Sequence, residues 1–257
     1  MRQEGFEQDR SPEAGTSAVP SGGEPRRRRD EAVFRKRANE GKSRSDDAVT
    51  TNSSPLFLVD VAKNAVSAEL RHSIGPQQLT DWEDHWKPAT VQLVARLKSA
   101  GINRALWPQS LHWDWQKKAQ SHDLGLSTPG FCVICDEMTQ GLMITNTFGA
   151  SRLKTNASTV YVDYLEVAPW NRKYFPGDQP RYATVGSALL CAAIATSIDV
   201  GFHGRIGLHS LPQSNKWYVN CGMQDLGPDP DPKTQHLRYF EMTPEAAGAF
   251  IAKGRSP

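Results

Sequence analysis

Long apolar runs are missing from this chain. No uninterrupted run is long enough to span a bilayer, so no membrane-spanning helix is expected. The opening residues, "MRQEGFEQDR", lack the apolar stretch of a secretory signal, so none is expected. Cysteine is scarce as well: Cys132, Cys135, Cys191 and Cys221 are the four in 257 residues. Their spacing offers no disulfide framework, and reduced thiols in a soluble, cytoplasmic protein are the expectation. An excess of one charge sign is also absent. Lys and Arg number 30 against 28 Asp and Glu, a net +2, so bulk charge points to neither a nucleic-acid nor a membrane partner. Apolar residues make up only 38% and mean hydropathy is −0.55, which places part of the chain outside any core.

That part is N-terminal. Residues 1–54 are rich in Ser, Gly, Pro, Glu and Arg, as in "SPEAGTSAVPSGGEPRRRRDE". Phe6, Val19, Val33, Phe34 and Val49 are nearly their only large apolar residues. Such a segment buries too little surface to offset the entropy of ordering it, so a disordered, low-complexity tail is expected. Arg26 to Arg29, Arg35, Lys36 and Arg37 form a basic run with acidic flanks. The plain reading is a solvated tail; the sharper one is a nucleic-acid contact or targeting signal.

From Pro55 to Pro257 the composition is globular. "PLFLVDVAKN" predicts a first strand. "LTDWEDHWKPATVQLVARLKSAG" predicts a helix, with Thr80 and Glu83 as a capping box and Gly101 as its stop. Trp82, Trp86, Leu93, Val94 and Leu97 fall on one face, and Pro88 is placed to kink or split the helix. "SLHWDWQKKAQSH" predicts a second helix. "GFCVICDE" and "GLMITNTF" read as paired strands joined through "MTQ". "VYVDYLEVAP" reads as a third, with Tyr161, Asp163, Leu165 and Val167 on one face. The loop "WNRKYFPGDQPRY" leads into the apolar helix "VGSALLCAAIATSIDVG". Then come a strand "RIGLHS", a helix and turn "LPQSNKWYVNCGMQDLG", and a strand "LRYFEM". The last helix is "TPEAAGAFIAK", capped by Thr243 with Pro244 first. This order predicts an α/β (or α+β) domain around a central sheet.

"TVGSA" places small residues around Gly186 at a helix start. The N–H groups of Thr184, Val185, Gly186, Ser187 and Ala188 can meet a pyrophosphate there; ordinary helix entry is the plain alternative. "YLEVAPWNR", "RYATVGSALL", "GRIGLHS" and "KWYVNCGMQDLG" together resemble the GNAT family, the acetyl-CoA-dependent N-acetyltransferases. Leu165, Val167 and Pro169 match that family's strand end, L-x-V-x-P. Gly186 and Ala188 match its phosphate loop, (Arg/Gln)-x-x-Gly-x-(Gly/Ala). Trp217, Tyr218, Gly222 and Met223 match its later (Phe/Leu)-Tyr-x-x-x-Gly-(Phe/Met). The resemblance covers about residues 56–250. It departs at Ala183, where the family has Arg or Gln, and at Thr184, where it has glycine. Arg181 or Arg172 offers a replacement cation.

The resemblance implies a mixed central sheet flanked by helices, acetyl-CoA as co-substrate, and acetyl transfer to a primary amine of unspecified kind. It also implies that the strand ending at Val167 splays from its neighbour. The backbone of Leu165 and Val167 would then pair with the pantetheine arm and polarise the thioester. Tyr218 is the implied acid for the departing thiolate. Glu166 and Asp163 are candidate bases, on opposite faces by strand alternation, and His209 is another. The "CVIC" thiols also point to opposite faces, and no metal site is expected. "WEDHW" and "LHWDW" fit an acceptor pocket or a core. Two rival readings stay open: a non-catalytic acyl-CoA-binding or interaction module, and a nucleic-acid-binding protein that uses the basic tail.

Overall fold

The computed structural model describes residues 53–254 except Asp123. The expected disordered tail and its basic run lie outside the described residues, apart from Ser53 and Ser54. Those two already pair with Arg71 and Leu70, so the first strand starts ahead of Pro55.

That strand, β1 (Ser53–Asp60), turns back into β2 (Ala65–Arg71). The Asp60 carboxylate closes the turn by accepting the Asn64 N–H at 2.8 Å. Then follow β3 (Gly130–Cys135), β4 (Met138–Ala150), β5 (Ser158–Val167), β6 (Tyr182–Ala183), β7 (Ile206–Ser210), β8 (Gln224–Pro228) and β9 (Arg238–Met242). They form one sheet in the order β6-β1-β2-β3-β4-β5-β7-β9-β8. Every pairing is antiparallel except β5 with β7. The helices are α1 (Pro76–Asp81), α2 (Lys87–Ser99), α3 (Trp115–Ser121), α4 (Val185–Asp199), α5 (Asn215–Asn220) and α6 (Pro244–Gly254). The mixed sheet flanked by helices agrees with the expected fold class.

Strand alternation gives the sheet two apolar faces. Phe131, Val133, Met143, Val160 and Val162 pack with Leu189 and Ile194 of α4. Cys132, Leu142 and Ile144 pack on the other face with Trp82, Trp86 and Trp115. Cys132 and Cys135 therefore belong to different cores, as alternation requires.

Several local expectations are corrected. The first helix starts at Pro76, so Thr80 is interior and Glu83 pairs with Lys87 at 2.5 Å instead of capping. Gly75 is the cap residue, and its N–H donates to Gln78 Oε1 at 2.9 Å. Pro88 does not break the helix. A π turn over Trp82–Trp86 joins α1 to α2, and Lys87 N–H bonds Trp82 O across it. The wider turn accommodates a ring that would otherwise meet the carbonyl four residues back. Gly101, at φ 67°, ends the helix as expected. The β3–β4 turn is Asp136–Glu137, both at positive φ as a tight hairpin turn demands, and "MTQ" lies inside β4. β2, β6 and β8 were not anticipated.

The correction that matters most for the site is in β5. Ile144 pairs with Tyr164 and Thr145 with Val162, which leaves Asp163 as a bulge. The face alternation slips there. Val160, Val162, Leu165 and Val167 meet the α4 core, while Tyr164 and Glu166 meet the tryptophan face. Tyr161 and Leu165, expected together, lie on opposite faces.

Candidate active site

β5 and β7 pair only at Val160 with Ile206 and Tyr161 with Gly207, yet β5 runs on to Val167. The two strands splay beyond that point, and the β7-facing edge of β5 has no strand partner. β4 holds the other edge through Met143–Leu165 and Gly141–Val167 pairs.

A cavity of about 680 Å³ opens at the splay. Leu165, Val167, Arg172, Lys173, Trp217 and Tyr218 line it, together with the start of α4 from Thr184 to Ser187. Thr184 enters the helix in the left-handed region, at φ 70° and ψ −5°. Its hydroxyl bonds the Ala183 carbonyl at 2.5 Å and does not cap the helix. Val185, Gly186 and Ser187 line the cavity end, and no side chain caps the helix there, so their N–H groups are first-turn donors without a partner inside the helix. Ala188 is a correction: its N–H is spent on Thr184 O at 2.9 Å, so it is no phosphate donor. Gly186 serves a close approach, since a Cβ there would sit 3.2 Å from Trp217 Cζ2.

Arg181 is a second correction. It pairs with Asp136 at 3.2 Å and lies over the Tyr182 ring, away from the cavity. Asp136 also takes the Tyr182 hydroxyl, so the β3–β4 turn draws this cation aside. Arg172 and Lys173 supply the positive charge that the cavity does have.

Tyr218 stands between that cavity and a second one of about 460 Å³. Trp217 and Phe240 hold its ring, with centroids 4.8 and 5.9 Å away. Burial pushes the phenol pKa up, so the hydroxyl stays protonated.

The second cavity is lined by Trp113, Lys118, Tyr161, Asp163 and His209, and shares Leu165 and Tyr218 with the first. Asp163 accepts from Asn146 Nδ2 at 2.8 Å, and burial raises its pKa. Lys118 lies 3.3 Å from the Tyr164 ring centroid, and desolvation lowers its pKa to about 8. Glu166 is tied down: Oε2 accepts from Trp115 Nε1 at 2.6 Å, and Arg172 lies 3.8 Å away. It borders a third, tryptophan-walled cavity of about 340 Å³. Because of the bulge, Asp163 and Glu166 do not face opposite sides: His122 beside α3 acts on Asp163, and Trp115 of α3 holds Glu166. Lys118 was missed as a cavity residue, whereas Trp113 belongs to "LHWDW", which fitted an acceptor pocket or a core, and it lines this cavity. Asp229, which bonds His209, had no signal, being 20 residues from it in a loop.

Among the described residues, no group of His, Cys, Asp and Glu is arranged to hold a metal, and no helix is long and apolar enough to cross a membrane.

No family model and no curated protein matches the sequence. Solved structures do. The GNAT domain of S. lividans PAT is 15% identical, with 73% of this chain and 96% of that chain covered and a TM-score of 0.46. Mycobacterium smegmatis RimJ, in complex with CoA-disulfide, is 16% identical, with 80% and 96% covered and a TM-score of 0.44. The PaiA N-acetyltransferase from Thermoplasma acidophilum, in complex with coenzyme A, is 13% identical, with 69% and 99% covered and a TM-score of 0.43. Similarity this low carries no argument about chemistry, which rests on the splay, the helix start and the two cavities.

Proposed function

We propose that this chain is a GNAT-type N-acetyltransferase that moves an acetyl group from acetyl-CoA to a primary amine. The observation that carries the reading is the splay of β5 from β7. A cavity runs from it to the uncapped start of α4, and Tyr218 stands at its inner end.

The N–H groups of Val185, Gly186 and Ser187 bind the pyrophosphate, with Arg172 and Lys173 adding charge. The free edge of β5 takes the pantetheine arm as an added strand. A backbone N–H at Leu165 or Val167 polarises the thioester carbonyl. The amine enters through the second cavity. As its nitrogen bonds to the carbonyl carbon and the C–S bond breaks, the Tyr218 hydroxyl protonates the departing sulfur. Glu166, held by Trp115, anchors Arg172 and suits a positioning role. Asp163 faces the amine side and stays a candidate base.

Titrating the full chain with acetyl-CoA in a calorimeter tests the reading, followed by thiol release with a panel of amines. Binding at about one site per chain with turnover of an amine supports it. A folded sample that does not bind overturns it. A second reading has its own support: Thr184 and Ala183 depart from the resembling loop, and Glu166 is not free. A non-catalytic acyl-CoA-binding module on this fold gives binding without turnover.

A further inference from the structure

Behind the second cavity lies a chain of groups that the acetyltransfer chemistry above leaves unused. The Tyr161 hydroxyl is 2.6 Å from His209 Nδ1, and His209 Nε2 is 2.6 Å from Asp229 Oδ2. Tyr161 and His209 both line the cavity that Tyr218 and Leu165 share with the splay. Asp229 is the covered end, with its side chain 5% exposed.

We propose that Tyr161, His209 and Asp229 form a proton relay that deprotonates the acceptor ammonium. The inference rests on the acetyltransfer reading and deepens it by assigning the base. The direction of the relay follows from its far end. Asp229 accepts the Asp231 N–H at 2.8 Å and is ion-paired with Arg152. The Asp231 N–H first, then Arg152 and His209, hold its carboxyl well below the usual range, so it stays ionised. An ionised Asp229 can only accept, so His209 carries its proton on Nε2. In the neutral imidazole that leaves Nδ1 as an acceptor and makes Tyr161 the donor. Tyr161 keeps its proton until it can pass it inward, since burial pushes its pKa up to about 12.

An amine enters as the ammonium ion. Its proton moves to the Tyr161 oxygen as Tyr161 passes its own proton to His209 Nδ1. His209 becomes an imidazolium against Asp229, and the amine is left neutral for attack. The second amine proton is shed as the C–N bond forms and ends on coenzyme A sulfur through Tyr218. The imidazolium proton returns to water, so one proton is released per turnover and the relay is reset.

The charges facing His209 come from every side. Asp229 and Asp163 favour the imidazolium. Arg152, in the loop between β4 and β5 and over the Tyr239 ring, opposes it, as do Lys118 and Lys233 on the cavity wall, where His112 also lies. Tyr239 closes the remaining side, with its ring 5.1 Å from the imidazole, and Glu241 lies beyond it. Asp229 is a positioning residue, since it acts only through His209.

Two measurements on the full chain test the relay. The first needs no turnover: the ¹⁵N shifts of His209 report which nitrogen is protonated. A bare Nδ1 with a protonated Nε2 supports the relay, and the reverse tautomer overturns it. The second is the pH profile of kcat/KM with the best amine found. His209→Gln and Tyr161→Phe are each expected to lower kcat by roughly 100-fold and to flatten the acid limb, with acetyl-CoA affinity unchanged. Asp229→Asn is expected to shift that limb, because it alters the imidazolium's partner. Tyr161→Phe keeps the ring, so it remains informative should His209→Gln not fold. Undiminished turnover with an unchanged acid limb in both folded variants discards the relay and leaves the acetyltransferase reading standing. Acetyl-CoA binding with no amine turned over discards both.

Discussion

At the scale of single residues, Thr184 and Gly186 exchange the roles that a phosphate loop suggests. The backbone needs glycine's freedom at Thr184, where φ is 70°, and Gly186 instead leaves room for the Trp217 ring. A β-branched residue in the left-handed region is strained, at a cost of roughly 1–2 kcal/mol. Thr184→Gly relieves that strain, and the entropy of an added glycine offsets part of the gain. The expected outcome is a rise of about 1 kcal/mol in unfolding free energy from urea titration, with acetyl-CoA affinity kept or improved. A loss of stability would show that the Thr184 hydroxyl bond to Ala183 outweighs the strain. Gly207 on β7 gives a sharper case. A Cβ there would lie 2.2 Å from the Tyr239 hydroxyl oxygen, so the ring that closes over His209 occupies the space a side chain would need. Gly207→Ala is expected to destabilise by about 1–3 kcal/mol, as overpacking does. A urea midpoint within error of wild type would mean that Tyr239 swings away freely.

At the scale of elements, what was legible in the sequence is what a local pattern can encode. The apolar run of α4, the Thr243 cap of α6 and the opposite faces of the two "CVIC" thiols are set by nearby residues, and they stand where expected. β2, β6 and β8 were invisible because their residues are largely half-buried or exposed and carry little apolar alternation. The bulge at Asp163 was invisible for another reason. Register is set by pairing with β4, and one extra residue moves Tyr164 and Glu166 to the face that alternation denied them. Of the candidate site, the helix start was legible in the sequence, and the splay only through the family resemblance. Arg181, Ala188 and Glu166 were not, because their partners are Asp136, Thr184 O and Trp115. Pro88 shows the same limit. A proline inside a helix costs about 3 kcal/mol when it forfeits a hydrogen bond, but here a π turn has already widened the ladder ahead of it. Pro88→Ala should therefore change stability by less than about 1 kcal/mol. A gain near 3 kcal/mol in thermal or urea unfolding would show that the π turn does not absorb the ring.

At the scale of the whole molecule, the balance of perturbed carboxyl groups sets the response to acid. Asp229, Asp225, Asp178, Asp60, Glu69 and Glu245 are held below their ordinary values, mainly by hydrogen bonds from backbone N–H groups and side chains. A carboxyl depressed by folding stabilises the fold above its unfolded pKa, and that contribution is lost as pH falls through the folded value. Asp163 runs the other way: burial raises it, so its ionised form costs stability at neutral pH and the cost vanishes in acid. Several of the depressed groups are exposed and contribute little, which concentrates the effect on Asp229, whose side chain is covered. Stability is therefore expected to be level at neutral pH and to fall as pH drops below the ordinary values of 3.8 for Asp and 4.5 for Glu. Asp229→Asn should lower stability at neutral pH and flatten that acid-side fall. Asp163→Asn should raise stability at neutral pH and steepen it. Urea titrations of the three proteins at a series of pH values read both signs at once. Parallel curves for wild type and Asp229→Asn would mean that Asp229 titrates alike in folded and unfolded chains, so that the bonds from Asp231, Arg152 and His209 do not favour its carboxylate in the fold.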